Sequence, residues 1–150
     1  MSLAMVTIAD SISKLSITGI NIRDLDKIPA VVRNRDCPIL YPRPDGFISG
    51  FEPDRITTGD GSSAKMDVRY TLTYTFLESP IGSDRGLFGV YPSFVANVAK
   101  ILDAILLNDK ITGAVDIRAV DVGAFGPVAD PAGNAFHGCD IAIEILEFVN

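Results

Sequence analysis

Residues 134 to 140 read NAFHGCD and hold the chain's single histidine and one of its two cysteines. Histidine and cysteine are metal ligands, and a cysteine beside a histidine is the beginning of a nucleophilic site. Side chains alternate along a strand, so His137 and Cys139 would share one face and Asp140 the other. That arrangement supplies two ligands where a structural zinc takes four. Cys37 is a candidate third, and no fourth is evident. A Cys-His nucleophile also needs an orienting group and an oxyanion hole, and neither is in sight. The plainer reading is that FHGCD opens the last strand, that Gly138 permits a bend there, and that His137 is a partly buried or interface histidine. Asp116, Asp121, Glu144 and Glu147 offer carboxylates that could converge on a cation from neighbouring strands. Nothing in their spacing demands it, and solvated strand faces are expected. The stretch TTGDGSSA, residues 57 to 64, lacks the Lys-Ser/Thr pair of a phosphate-binding loop and the G-x-G-x-x-G of a dinucleotide site. No catalytic, cofactor-binding or metal-binding residues are assigned, and no enzyme activity is expected.

The rest of the chain describes what must position these residues. At 150 residues it is long enough for one hydrophobic core, and a single domain spanning 1–150 is the expectation. Hydrophobic residues make up 47% and charged residues 21%, a globular composition. The formal net charge is −6, with basic residues scattered, which argues against a phosphate-backbone binder. Such acidity suits solubility, and it suits a surface that must let DNA pass without sticking. Arg33, Arg35 and Arg43 are the densest basic group, interrupted by Asp36, and read as a solvated loop. The cysteines lie about a hundred residues apart, so no disulfide framework is expected; buried free thiols in a reducing cytosol are. No basic, apolar leader opens the chain and no run of 18 apolar residues occurs, so no membrane span is expected.

Ile8, Ile12 and Leu15 at i, i+4 and i+7 predict a short amphipathic helix over 6–15, with Thr7 as its cap. Gly19 reads as a stop or turn. Between Ile20 and Ile28 a strand start and a loop with a helical turn fit equally. The proline-rich stretch CPILYPRPDGFISGFEP, residues 37 to 53, excludes a central strand. It allows a short edge strand at Ile39 to Tyr41 and a turn at Pro44-Asp45-Gly46. Its aromatics either anchor a partner or fold over their own sheet. KMDVRYTLTYTFL, residues 65 to 77, alternates Met66, Val68, Tyr70, Leu72, Tyr74 and Phe76 against polar neighbours, the period of a long strand with one buried face. Its threonine face is either solvated or a subunit contact or channel wall. A loop is expected over 78–89. The main helix then carries the apolar stripe Tyr91, Phe94, Val95, Val98, Ile101, Leu102, Ile105 and Leu106, with Pro92 in its first turn. Ser93, Asn97, Lys100 and Asp103 fall opposite. In residues 113 to 127 the apolar phase flips from Val115 and Ile117 to Val120 and Val122, the mark of a β-bulge. A last strand alternates Cys139, Ile141, Ile143 and Ile145, with a second bulge expected near Leu146. The sum is an α+β domain.

The order of these elements, and the stretches IRDLDKIP, CPILYPRP, MDVRYTLTYTF and DPAGNAFHGCDIAIEILEFV, resemble small neck and tail-completion proteins of long-tailed bacteriophages. The nearest type is the tail terminator of siphoviruses. The resemblance spans most of the chain, and its motifs are structural. It implies a small antiparallel or mixed β-sheet with two α-helices packed on one face. It also implies a hexameric ring of copies of the chain that caps the tail tube, ends its polymerisation and offers a joining surface to the head connector. The partners it implies are the chain itself, the tail tube protein and a connector or neck protein. DNA only passes through the lumen, and no membrane or cofactor is involved. The expected location is the virion, after assembly in the host cytoplasm. Another neck, connector or minor tail protein is the alternative, and a small enzyme a distant third. Ring contacts are expected from loops 38–53 and 78–89, with loop 57–64 at the tube or lumen. The candidate interface residues are Tyr41, Arg43, Phe47, Phe51, Arg55, Asp60, Arg85, Phe88 and His137.

Overall fold

The computed structural model describes residues 4–57, 64–82, 86–108 and 115–149. Two long antiparallel strands form its middle, β4 (Ala64–Pro80) and β7 (Ala135–Val149). Their alternating sequences keep register from Met66↔Val149 to Leu77↔Gly138, which sets Tyr70 against Ile145, Leu72 against Ile143 and Tyr74 against Ile141. Aromatic and β-branched side chains paired in this way are favourable cross-strand neighbours. Each long strand is flanked by two short ones laid end to end. β2 (Ile39–Pro42) and β3 (Ile48–Thr57) follow one another along the free edge of β4. β5 (Val115–Val122) and β6 (Gly126–Ala129) do the same along β7. β1 (Asn21–Ile22) adds a short parallel pairing to β2, which makes the seven-stranded sheet mixed.

Both helices cover one face. α1 (Met5–Ser13) and α2 (Gly86–Leu106) bring Ile8, Ile12, Phe94, Val98, Ile101 and Ile105 onto Val68, Tyr70, Leu72 and Tyr74 of β4 and Ile141, Ile143 and Ile145 of β7. Each such buried side chain contributes about 1.5–3 kcal/mol. Phe94 sits edge-on to Phe76 at 5.7 Å and stacks on Phe125 at 4.2 Å. By length and composition alone, Gly89–Leu106 is apolar enough to cross a membrane. Its exposed Lys100 and Asp103 and its buried Phe94 face are those of an amphipathic core helix.

Several expectations need correction. β4 runs on to Pro80 and α2 begins at Gly86, so the connection is far shorter than 78–89 and Pro92 lies inside the helix. Ser93 and Asn97 do not face water: both are half-buried and bond the carboxylate of Glu78 on β4. Val95 and Leu106, read as part of the apolar stripe, are more than half exposed. Thr7 lies within α1, whose cap is Ala4 without a side-chain bond. Between Ile20 and Ile28 both alternatives occur, β1 first and then a 3-10 turn at Leu25–Lys27. Residues 48–53, read as loop, form the first half of β3, with Pro53 paired to Val68 on the sheet flank. The bulge in β5 falls between Ile117 and Ala119, where the phase flips. At Leu146 the register of β7 is unbroken against both neighbours. The apolar alternation ends there because a charged residue, Glu147, takes the next inward position, where it accepts from the Ala4 amide at 2.8 Å and the Tyr70 hydroxyl at 2.7 Å.

The opposite face is not bare. Val32, Ile39, Tyr41, Leu77 and Phe136 form a second small core under the segment that leads into β2. Thr75 and Thr73 are buried and Thr71 half-buried, so the threonine row is not a solvated face. Residues 58–63, most of the stretch expected as a loop at 57–64, lie outside the described residues.

Candidate functional site

The strand pairs β2/β3 and β5/β6 break near one another, at Thr73 of β4 and at Cys139 and Asp140 of β7. On one side the chain turns at Pro44-Asp45-Gly46, with Gly46 at φ +68. The turn is tied to β4 by Arg43 N–H donating to the Thr73 carbonyl and by Thr73 N–H donating to the Phe47 carbonyl. On the other side Gly123 N–H donates to the Asp140 carbonyl at 2.8 Å. Between these breaks, on the face away from the helices, Arg43 reaches over to β7. Its Nη1 donates to Asp140 Oδ2 at 3.0 Å, its Nε to the Asp45 carbonyl at 2.7 Å and its Nη2 to the Gly46 carbonyl at 3.2 Å. Thr75 Oγ1 lies 3.4 Å from Asp140 Oδ1. All three guanidinium nitrogens are therefore engaged within the chain.

Beside this pair lies a cavity of about 390 Å³, walled by Tyr41, Arg43, Asp45, Val128, Asp130 and Asp140 among others. Asp130 is buried and closes the turn between β6 and β7. It accepts from the Asn134 amide at 2.7 Å, from Asn134 Nδ2 at 3.2 Å and from the Val32 amide at 2.9 Å. Burial alone would raise its pKa; the amides of Val32, Asn134 and Ala132 and the Asn134 side chain outweigh that and lower it. Tyr41 is 1% exposed and lines the cavity. Burial, then the charges of Asp130 and Asp140, push its pKa up to about 12.

From Ala135 on the NAFHGCD stretch is strand, as its alternation implies, and it does not bring its cysteine and histidine together with the other candidate groups. Cys139 lies in the helix-covered core and Cys37 packs against the second core on the other face, so the two thiols cannot share a metal. Burial first, then the charge of Asp140, pushes the Cys139 thiol up to about 12; burial, then Asp36 and Glu78, does the same for Cys37. Neither provides a thiolate at neutral pH. His137 is half-buried and pairs with Ser79 across the strands, but the Ser79 hydroxyl is buried without a hydrogen-bond partner. No Ser-His couple is formed. Among the described residues, no three His, Cys, Asp or Glu side chains are grouped to hold a metal ion. Glu147 points into the core while Glu144 and Asp121 are exposed, so these acids do not converge, and Glu147 is no solvated strand residue. Gly138 lies at the register irregularity between β4 and β7 and allows a close approach there: a Cβ would sit 2.5 Å from the Phe76 carbonyl oxygen.

Of the described candidate interface residues, Tyr41 and Arg43 come together at this cavity. Phe47 is half-buried, edge-on to Tyr74 at 5.6 Å, and Phe51, 47% exposed, stacks on Tyr70 at 6.1 Å. Both therefore fold over their own sheet, on the helix side. Asp60 and Arg85 lie outside the described residues, as do the side chains of Arg55 and Phe88. Asp45, Asp130 and Thr75 were not singled out by sequence. The DPAGN turn signal marks Asp130 as a turn former, yet no local pattern reveals its bond to Val32. No protein-family model matches the chain, and no curated protein matches it.

Proposed function

We propose that this protein is a structural component of a long-tailed bacteriophage, a tail terminator whose ring caps the tail tube and presents a joining surface to the head. The observation that carries the reading is architectural. The stretches that resemble the terminators imply a mixed sheet with two helices on one face, and this chain has a seven-stranded mixed sheet whose two helices share one core. The surface is compatible with assembly. Phe51, Val95, Leu106, Leu107 and Phe148 are large apolar side chains left substantially exposed, and ring contacts of the head-to-tail kind use different patches on the two sides of each subunit. A net charge of −6 suits a lumen that DNA must traverse. Termination on this reading needs no turnover: the ring occupies the growing end of the tube and leaves no site for the next tube subunit.

Fold alone does not separate a terminator from a connector, so the test is genetic and visual. An early stop codon in the gene, followed by electron microscopy of the lysate, is expected to give tails of runaway length unattached to filled heads. Tails of normal length beside filled heads would transfer the protein to a connector role. Normal infectious particles would overturn both.

A further inference from the structure

Helix α2 carries two apolar seams where one would pack it. Phe94, Val98, Ile101 and Ile105, at i, i+4, i+7 and i+11, are buried against the sheet. Val95, Ala99, Leu102 and Leu106 repeat that spacing one residue later, about 100° further round the helix. The sheet reaches only the edge of this second seam. Leu102 is half-buried, Ala99 is exposed, and Val95 and Leu106 keep 52% and 54% of their surface in water. Only 33% of the residues in Gly89–Leu106 are buried in the fold. A helix that is apolar beyond the stripe its own core uses has surface left over for a partner.

The outer seam is complementary to itself in one arrangement. Laid antiparallel on a second copy, with the centre of the contact between Lys100 and Ile101, it sets Val95 opposite Leu106 of the second copy and Ala99 opposite its Leu102. Each smaller side chain then meets a larger one, as close packing requires. Charge favours the same arrangement. Lys100 and Asp103 are exposed on one flank of the seam. An antiparallel pair brings the like flanks together, and Lys100 then falls within about 3 Å, measured along the helix axis, of the level of Asp103 of the second copy. Two reciprocal ion pairs border the apolar strip. A parallel pair would set this charged flank against the apolar flank of the other copy.

We propose that α2 is the contact surface of a homodimer, in which two copies pair the Val95–Ala99–Leu102–Leu106 seams of their helices antiparallel about a two-fold axis. The inference concerns the free chain and does not rest on the phage reading. A single pair of helices buries less than the roughly 1,200 Å² of a stable interface, so the dimer is weak, with a dissociation constant on the order of 10⁻⁵ M.

Sedimentation equilibrium of the whole chain, from about 10⁻⁶ to about 5 × 10⁻⁴ M, reads the association, and a reversible monomer–dimer equilibrium is expected. Ala99→Glu places an unpaired charge opposite Leu102 of the second copy and is expected to weaken the dimer about a hundredfold. The position is exposed, and an unchanged urea midpoint in dilute solution shows that the fold is kept. Asp103→Lys is expected to weaken association severalfold, and the double exchange of Lys100→Asp with Asp103→Lys to restore it. Disulfide cross-linking reads the direction of the helices. An equal mixture of Val95→Cys and Leu106→Cys chains is expected to cross-link. Leu106→Cys alone is not, since its two copies lie about 16 Å apart along an antiparallel pair. Ready cross-linking of Leu106→Cys with itself, association indifferent to Ala99→Glu, or a chain that stays monomeric throughout would overturn the proposal. The last outcome would leave the outer seam to a partner of another kind.

Discussion

Asp130 holds two pieces of chain that lie far apart in sequence. Its Oδ2 accepts from the Val32 amide and from Asn134 Nδ2, and its Oδ1 from the Asn134 amide. Asp130→Asn keeps the shape but places an NH₂ group against at least one of these donors in either amide orientation. The expected loss is about 1–3 kcal/mol, the cost of an unsatisfied buried polar group. Its pH dependence has a definite sign. The folded-state pKa lies below the ordinary 3.8, so the stabilisation is fully present above that pH and fades as pH falls through the folded value. Urea unfolding of wild type and Asp130→Asn at pH 7 and at pH 3 checks this: the gap between them should be wider at pH 7. At this scale the sequence was half legible. DPAGN announces a turn, and CPILYPRPDG announces another, but the contacts Asp130–Val32 and Arg43–Asp140 join residues about a hundred positions apart. Such contacts depend on strand order, which no local pattern encodes.

Among the elements, the strands that obey a simple period were the legible ones. β4 and β7 alternate cleanly, and the phase flip within β5 located its bulge because a one-residue shift moves every later side chain to the other face. Two of the misreadings share a cause: polar residues that pack inward. Glu147 ends the alternation of β7 in a way that imitates a bulge. Glu78, at the irregularity between Leu77 and Ser79, is buried and draws Ser93 and Asn97 of α2 onto the sheet. These two helix positions, one turn apart, look like a solvent face to any hydrophobicity count. Asn97 Nδ2 donates to both oxygens of Glu78, at 2.9 and 3.2 Å, and Ser93 Oγ donates to Oε1 at 2.7 Å. Asn97→Ala should therefore cost about 1–3 kcal/mol, since it leaves part of a buried carboxylate unpaired. Replacing exposed Lys100 by Ala should change stability by under about 0.5 kcal/mol. Chemical denaturation of the two variants distinguishes them, and equal effects would mean that the Glu78 contacts do not anchor the helix.

For the whole molecule, the distribution of charge makes a functional demand of its own. A protein that surrounds a DNA channel without gripping the DNA must avoid clustered free cations. The formal charge of −6 is a start, but local patches decide. Here two of the cations that sequence alone would count as available are committed: Arg43 to Asp140 and two carbonyls, and Lys14 to Asp10 at 2.8 Å. Arg35, beside Asp36, and Arg69, paired across the sheet with Glu52, are exposed next to acids. Counterion release, the main source of nonspecific affinity for duplex DNA, needs several phosphate contacts at once. Arg43, Lys14, Arg35 and Arg69 are not free to supply them together. The purified chain should then leave the mobility of a short duplex unchanged at 0.15 M salt up to about 10⁻⁴ M protein, the weak end of nonspecific binding. A retarded complex well below that concentration would show that cations gather on the surface, and it would count against the proposed ring that DNA merely traverses. The same titration at about 0.05 M salt sharpens the outcome, because binding through even a few phosphates would strengthen steeply as salt is removed, whereas a like-charged surface is repelled more strongly when screening weakens.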